Sequence, residues 1–106
     1  MDQSKPKFPR LRQVVDAVCH TNDIELHELM SNRRERRIVD ARFIYYWIAT
    51  KCCDKSYSEI GRFINKDHST VMHGYKKTKH KFLDSQWSKR LHKTVTYLGL
   101  PEGTVK

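Results

Sequence analysis

Residues 56–82 read SYSEIGRFINKDHSTVMHGYKKTKHKF, and they carry two helical patterns separated by a short break. Ser56 and Glu59 have the three-residue spacing of a capping box, so a first helix is expected to open there with its free amides satisfied by side chains. Asn65 and Lys66 interrupt the pattern. Asp67 can cap a second helix, because its carboxylate accepts first-turn N–H groups and sits at the positive end of the helix dipole. On a helical wheel Val71, Tyr75, Thr78 and Phe82 share a stripe suited to the core, with Gly74 beside it permitting close helix approach. The opposite stripe holds Ser69, His73, Lys76 and His80, flanked by Lys77, Lys79 and Lys81. One face can therefore pack while the leading turn and outer face offer donors to base edges and phosphates. The wheel alone fits a solvated amphipathic helix equally well, since charge runs often serve solubility.

The run Asp67-His68-Ser69-Thr70-Val71, followed by His73 and Lys77 and preceded by Ile60-Gly61, resembles the signature of the C-terminal DNA-binding domain of the bacterial replication initiator family DnaA. The resemblance extends upstream through Leu29-Met30-Ser31-Asn32-Arg33-Arg34 and residues 36–42. It implies an all-α, TrpR-like helix-turn-helix fold. It also implies that Arg34 reads a minor groove, that Arg36 lies in the DNA-facing region, and that Arg42 touches DNA. One departure is visible: where the family commonly has two glycines and a basic residue before the Asp-His pair, Ile64-Asn65-Lys66 fills a gap one residue shorter.

Lys and Arg number 21 against 12 acidic residues in a chain of 106, a net charge of +9 that favours a polyanionic partner. The length suits one domain rather than an enzyme with separate substrate and cofactor lobes. No apolar run approaches the ~20 residues that span a bilayer, and MDQSKPKFPR lacks the apolar core of a signal peptide. A cytoplasmic, nucleoid-associated protein is expected. Cys19, Cys52 and Cys53 suggest buried thiols in a reducing compartment rather than a disulfide framework. The histidines at 68, 73 and 80 do not have zinc-ligand spacing, so neither metal nor cofactor is expected.

Residues 1–10 hold Pro6 and Pro9 without helical period and read as a flexible arm. In residues 11–20, Leu11, Val14, Val15 and Val18 recur at helical spacing. Asp23 can cap a short helix through Met30. Ser31-Asn32-Arg33-Arg34-Glu35-Arg36-Arg37 packs four arginines into five positions and reads as a basic loop. Asp40 can cap a third helix, apolar on nearly all sides through Ile44, Tyr45, Trp47 and Ile48, and therefore the buried hub. Its aromatics read as core rather than as a stacking platform. Asp84 or Ser85 can cap a last helix containing Trp87, Leu91, Val95 and Leu98, stopped by Gly99 and Pro101. With no alternating strand pattern, the expectation is a bundle of about five or six helices. The helical DNA-binding domain spans residues 11–98, with the helix-turn-helix at 56–82 and a tail at 99–106.

The functional expectation is a sequence-preferring binder of double-stranded DNA. His68, Ser69 and Thr70 would meet base edges in the major groove, with Arg34 and Arg42 added by the resemblance. Arg33, Arg36, Lys66, His73, Lys76 and Lys77 would hold phosphates. The sequence contains no GxxxxGK[ST] loop, so it reads as a DNA-reading unit without an ATP-driven motor, serving transcriptional regulation or acting as an accessory replication factor. A monomer is favoured, as consistent with the resemblance, while a dimer would require a palindromic site and no coiled-coil heptads announce one. An enzyme is not expected, since neither a carboxylate cluster nor a nucleophile-base pair is apparent. The competing reading is an interaction adaptor whose basic surface meets an acidic protein.

Overall fold

The computed structural model describes residues 9–101, within which every regular element is helical. They are α1 (Leu11–Asn22), α2 (Leu26–Met30), α3 (Arg36–Cys52), α4 (Tyr57–Arg62), α5 (His68–Lys81) and α6 (Ser85–Leu98). Most of the expected arm, and the tail beyond residue 101, lie outside the described residues. No described helix is long and apolar enough to cross a membrane.

The hub is α3, as its nearly all-round apolar pattern requires. Ile38, Ala41, Ile44, Tyr45, Ile48 and Ala49 are fully buried, and α1, α2, α4, α5 and α6 all pack on this one helix. The aromatics are core: Trp47 and Trp87 meet the ring of Phe82 edge-on at 5.7 and 5.1 Å between centroids. Two of the buried polar tips are paired across elements, as burial favours. Tyr45 donates its hydroxyl to the Ile60 carbonyl at 2.6 Å, and Trp87 donates Nε1–H to the Asp40 carbonyl at 3.1 Å. These bonds tie α3 to α4 and to α6. Burial pushes the Tyr46 hydroxyl up to about 12 and keeps it neutral.

Two boundaries differ from the sequence reading. Asp23 does not cap α2: at φ 57° it occupies the left-handed position that ends α1, which a short polar side chain tolerates. Glu25 stands at the start of α2 instead, its amide donating to the Glu28 carboxylate at 2.9 Å. Helix α3 opens at Arg36 rather than after Asp40. Arginine is a good helix former, and the first-turn charges remain exposed while finding carboxylates: Arg37 donates to Glu28 at 2.8 Å and Arg36 to Asp84 at 3.1 Å. Asp40, one turn inside, is buried and accepts from Lys81 Nζ at 2.6 Å.

Candidate nucleic-acid interface

Helix α4 begins with a reciprocal capping box, in which Glu59 N–H donates to Ser56 Oγ at 3.2 Å and Ser56 N–H donates to Glu59 Oε1 at 3.1 Å. The turn into α5 is tight because Gly61 allows it. Lys66 N–H donates to the Gly61 carbonyl at 2.8 Å, and a Cβ on Gly61 would stand 2.4 Å from the Lys66 oxygen. Asn65 takes φ 63°, the conformation a glycine would adopt more readily, and this reverses the chain in the short turn. Asp67 then caps α5, accepting from Thr70 N–H at 2.8 Å. That bond holds its carboxyl below the usual range, so the cap is ionised at neutral pH. Gly74 brings α5 onto α3, since any Cβ there would lie 2.4 Å from the Tyr46 ring.

The leading turn of α5 is uncovered: His68 and Thr70 are exposed and Ser69 is half-buried. Thr70, His73 and Lys77 line a cleft of about 730 Å³ together with Ser31, Asn32 and Arg34 of the connector, Arg42, Lys66, and the rings of Phe43 and Tyr46. The arginine-bearing connector and the leading end of α5 thus share a flank. His68 opens onto a neighbouring recess with Ser58, Arg62 and Asn65. Arg62 was missed in the sequence reading. Its signal was a cation in the last turn of α4, immediately before the break.

Two residues expected at DNA also line this cleft, and both hold backbone carbonyls. Arg42, expected at base edges, is 9% exposed and turned inward. Its Nε donates to the Leu29 carbonyl at 2.9 Å, Nη1 to the Arg33 carbonyl at 2.7 Å, and Nη2 to the carbonyls of Glu28 and Ser31. The physical reason is the end of α2, where helix-end carbonyls accept the guanidinium, that of Glu28 doing so beside the Ser31 N–H and hydroxyl. Lys66, expected on a phosphate, donates from Nζ to the Met30 carbonyl at 3.0 Å, the Ser31 carbonyl at 2.7 Å and Asn32 Oδ1 at 3.4 Å. Three acceptors use its three protons. Burial, and then the nearby Arg42, push the Lys66 ammonium below its ordinary value.

Arg33 and Arg36 remain at the surface but hold carboxylates, Arg33 those of Glu28 and Glu35, and Arg36 those of Asp84 and Asp40. Neither lines the cleft. Lys76 is exposed on the outer side of α5, also away from the cleft. Among the described residues no cluster of three or more His, Cys, Asp or Glu side chains is placed to hold a metal ion.

Residues 11–78 match the family described as the bacterial dnaA protein helix-turn-helix. The chain is similar to the chromosomal replication initiator protein DnaA of Bacteroides thetaiotaomicron, 36% identical over 77 residues, which cover 72% of this chain and 16% of that protein. With its counterpart from Bacteroides fragilis the identity is 39% over 74 residues, 69% of this chain and 16% of the relative. With that of Aquifex aeolicus it is 35% over 65 residues, 60% of this chain and 16% of the relative. The chain therefore corresponds to a small fraction of the length of these relatives.

Proposed function

Because the chain belongs to the bacterial DnaA helix-turn-helix family, we propose that it binds double-stranded DNA with a preference for sequence, inserting the leading turn of α5 into the major groove. His68, Ser69 and Thr70 meet base edges there: the imidazole and hydroxyls donate or accept, and the Thr70 methyl suits thymine. Arg34 reaches an adjoining minor groove, where a guanidinium is favoured by the concentrated negative potential. His73 and Lys77, which line the same cleft as Thr70, hold phosphates, with Lys76 and Arg62 extending the cationic margin. Arg33 and Arg36 contribute to the field around the site, and each exchanges its carboxylate partner for a phosphate only at the cost of that pair. The chain acts as a monomer in the cytoplasm, on the nucleoid, as a transcriptional regulator or an accessory replication factor.

The observation that carries this reading is the shared cleft, lined both by Arg34 of the connector and by Thr70, His73 and Lys77 of α5. A solubilising charge run would have no need to share a cleft with a second basic segment. Selection from a random duplex pool tests the proposal, since enrichment of one motif is expected and its symmetry reports stoichiometry. Recovery of no motif, with equal affinity for every duplex, would sink it. Mapping the enriched motif to promoters or to origins separates the two processes.

A further inference from the structure

Residues 31–35, between α2 and α3, have no regular hydrogen-bonded structure of their own, yet their backbone is gripped from two sides. Arg42 reaches from the second turn of α3 to the carbonyls of Glu28, Leu29, Ser31 and Arg33. Lys66 reaches from the short turn before α5 to those of Met30 and Ser31, and to the Asn32 side chain. Both cations share the Ser31 carbonyl. Between them they collect five carbonyls, those of residues 28–31 and 33, of which that of Glu28 also accepts from the Ser31 N–H at 3.2 Å and the Ser31 hydroxyl at 2.7 Å.

We infer that Arg42 and Lys66 are positioning residues, a paired clamp on the connector carbonyls that sets Arg34 in the cleft shared with the leading turn of α5. The inference rests on the DNA-binding reading, because its consequence is delivered through Arg34. Arg34 itself is exposed in the connector and lines the cleft, and it is only as well placed as the backbone that carries it. An irregular basic loop left unheld would have to be ordered when it binds, and that entropic cost would be subtracted from affinity. The clamp settles the cost during folding. It also links the two DNA-facing elements mechanically, since Lys66 belongs to the turn between α4 and α5 while its acceptors belong to the connector. The shortened turn contributes here: Asn65 reverses the chain in the left-handed region immediately before Lys66.

The test is a double-mutant cycle on the full chain, using a fluorescent duplex carrying the motif enriched from a random pool and a permuted duplex as control. Arg42→Gln alone is expected to lower the preference for the enriched duplex about tenfold, as Arg34→Ala does, and to cost less than about twofold once Arg34→Ala is present. Penalties that multiply independently would overturn the assignment, because Arg42 would then act without Arg34. If Arg42→Gln does not fold, Lys66→Gln enters the same cycle with the same expectation.

A spectroscopic arm separates the clamp from direct contact. In the ¹⁵N-labelled wild-type chain the Arg42 Nε–H signal is expected to be protected from exchange in the free protein and to remain so when duplex is added. Absence of protection in the free protein, or its loss on binding, refutes the clamp. A wild-type chain that prefers no duplex while this signal is protected instead marks failure of the DNA-binding reading, and leaves the clamp without the consequence inferred for it.

Discussion

Gly61 and Lys66 are in such close backbone contact that a single methyl group cannot be placed between them: Lys66 N–H donates to the Gly61 carbonyl at 2.8 Å, and a Cβ on Gly61 would fall 2.4 Å from the Lys66 oxygen. The obstructing atom is main chain, so no rotamer change can relieve it. Gly61→Ala is expected to destabilise the fold by roughly 2 kcal/mol, within the usual range for overpacking, and to weaken duplex binding by moving α5 away from α4. Urea unfolding with a parallel binding titration checks both. An alanine variant with unchanged stability and binding would mean that the turn yields more readily than its geometry implies.

Base readout and phosphate contact should part company in their response to sequence and salt. His68→Ala is expected to reduce discrimination between the enriched and permuted duplexes by about tenfold, in line with the loss of one good base contact. Lys77→Ala should weaken both duplexes alike and lower the slope of log affinity against log salt by about one. Fluorescence anisotropy across a salt series measures the two quantities together. If His68→Ala leaves discrimination intact, the leading turn of α5 is not the reading element.

The cap on α5 predicts a pH dependence with a definite sign. Folding lowers the Asp67 carboxyl below its ordinary value, chiefly through the Thr70 N–H bond. Its contribution is therefore present above the ordinary carboxylate value, near pH 4, and disappears as pH falls through the lower folded value. Glu59 and Asp84 are shifted in the same direction by their own capping bonds, so they add to the acid-side loss. Asp67→Asn keeps a capping oxygen but does not titrate. The stability difference between wild type and this variant should shrink as pH drops from about 5 toward 3, read by thermal melts at each pH. A difference constant across that range would remove Asp67 from the titration.

What could be read from the chain was what local chemistry decides. Ser56 with Glu59, and Asp67 with Thr70, act within one turn, so their capping roles follow from spacing, as does the core stripe of α5, on which Val71 and Thr78 are buried and Tyr75 and Phe82 half-buried. The start of α3 was misplaced because a run of arginines has the composition of a loop, although arginine is comfortable in a helix once carboxylates from other elements are at hand. The carbonyl partners of Arg42 and Lys66 were not foreseen for a similar reason. Their acceptors lie 9 to 14 and 34 to 36 residues away in sequence, and nothing in either neighbourhood announces which carbonyls the fold will leave unpaired. The resemblance named residues that share one cleft but not the carbonyls that Arg42 and Lys66 hold within it.

Asp40 illustrates the same long-range logic and yields a sharp stability test. Its side chain is 8% exposed, accepts from Lys81 Nζ at 2.6 Å and lies 3.6 Å from Arg36 Nε, while its carbonyl accepts from Trp87. Lys81, 21% exposed and also over the Phe43 ring at 5.5 Å, thereby fastens the far end of α5 to the first turns of α3. Removing one partner of a buried pair costs more than the pair contributes, because the remaining charge is left desolvated. Lys81→Met is expected to cost about 2 kcal/mol, less than a fully buried pair would, since Arg36 still approaches Asp40 and Lys81 is partly solvated. Asp40→Leu combined with Lys81→Met should recover most of that loss, because it removes both charges and retains the packing. Denaturant unfolding of the two single variants and the double variant decides the matter: additive losses would show that the two side chains contribute separately rather than as a pair.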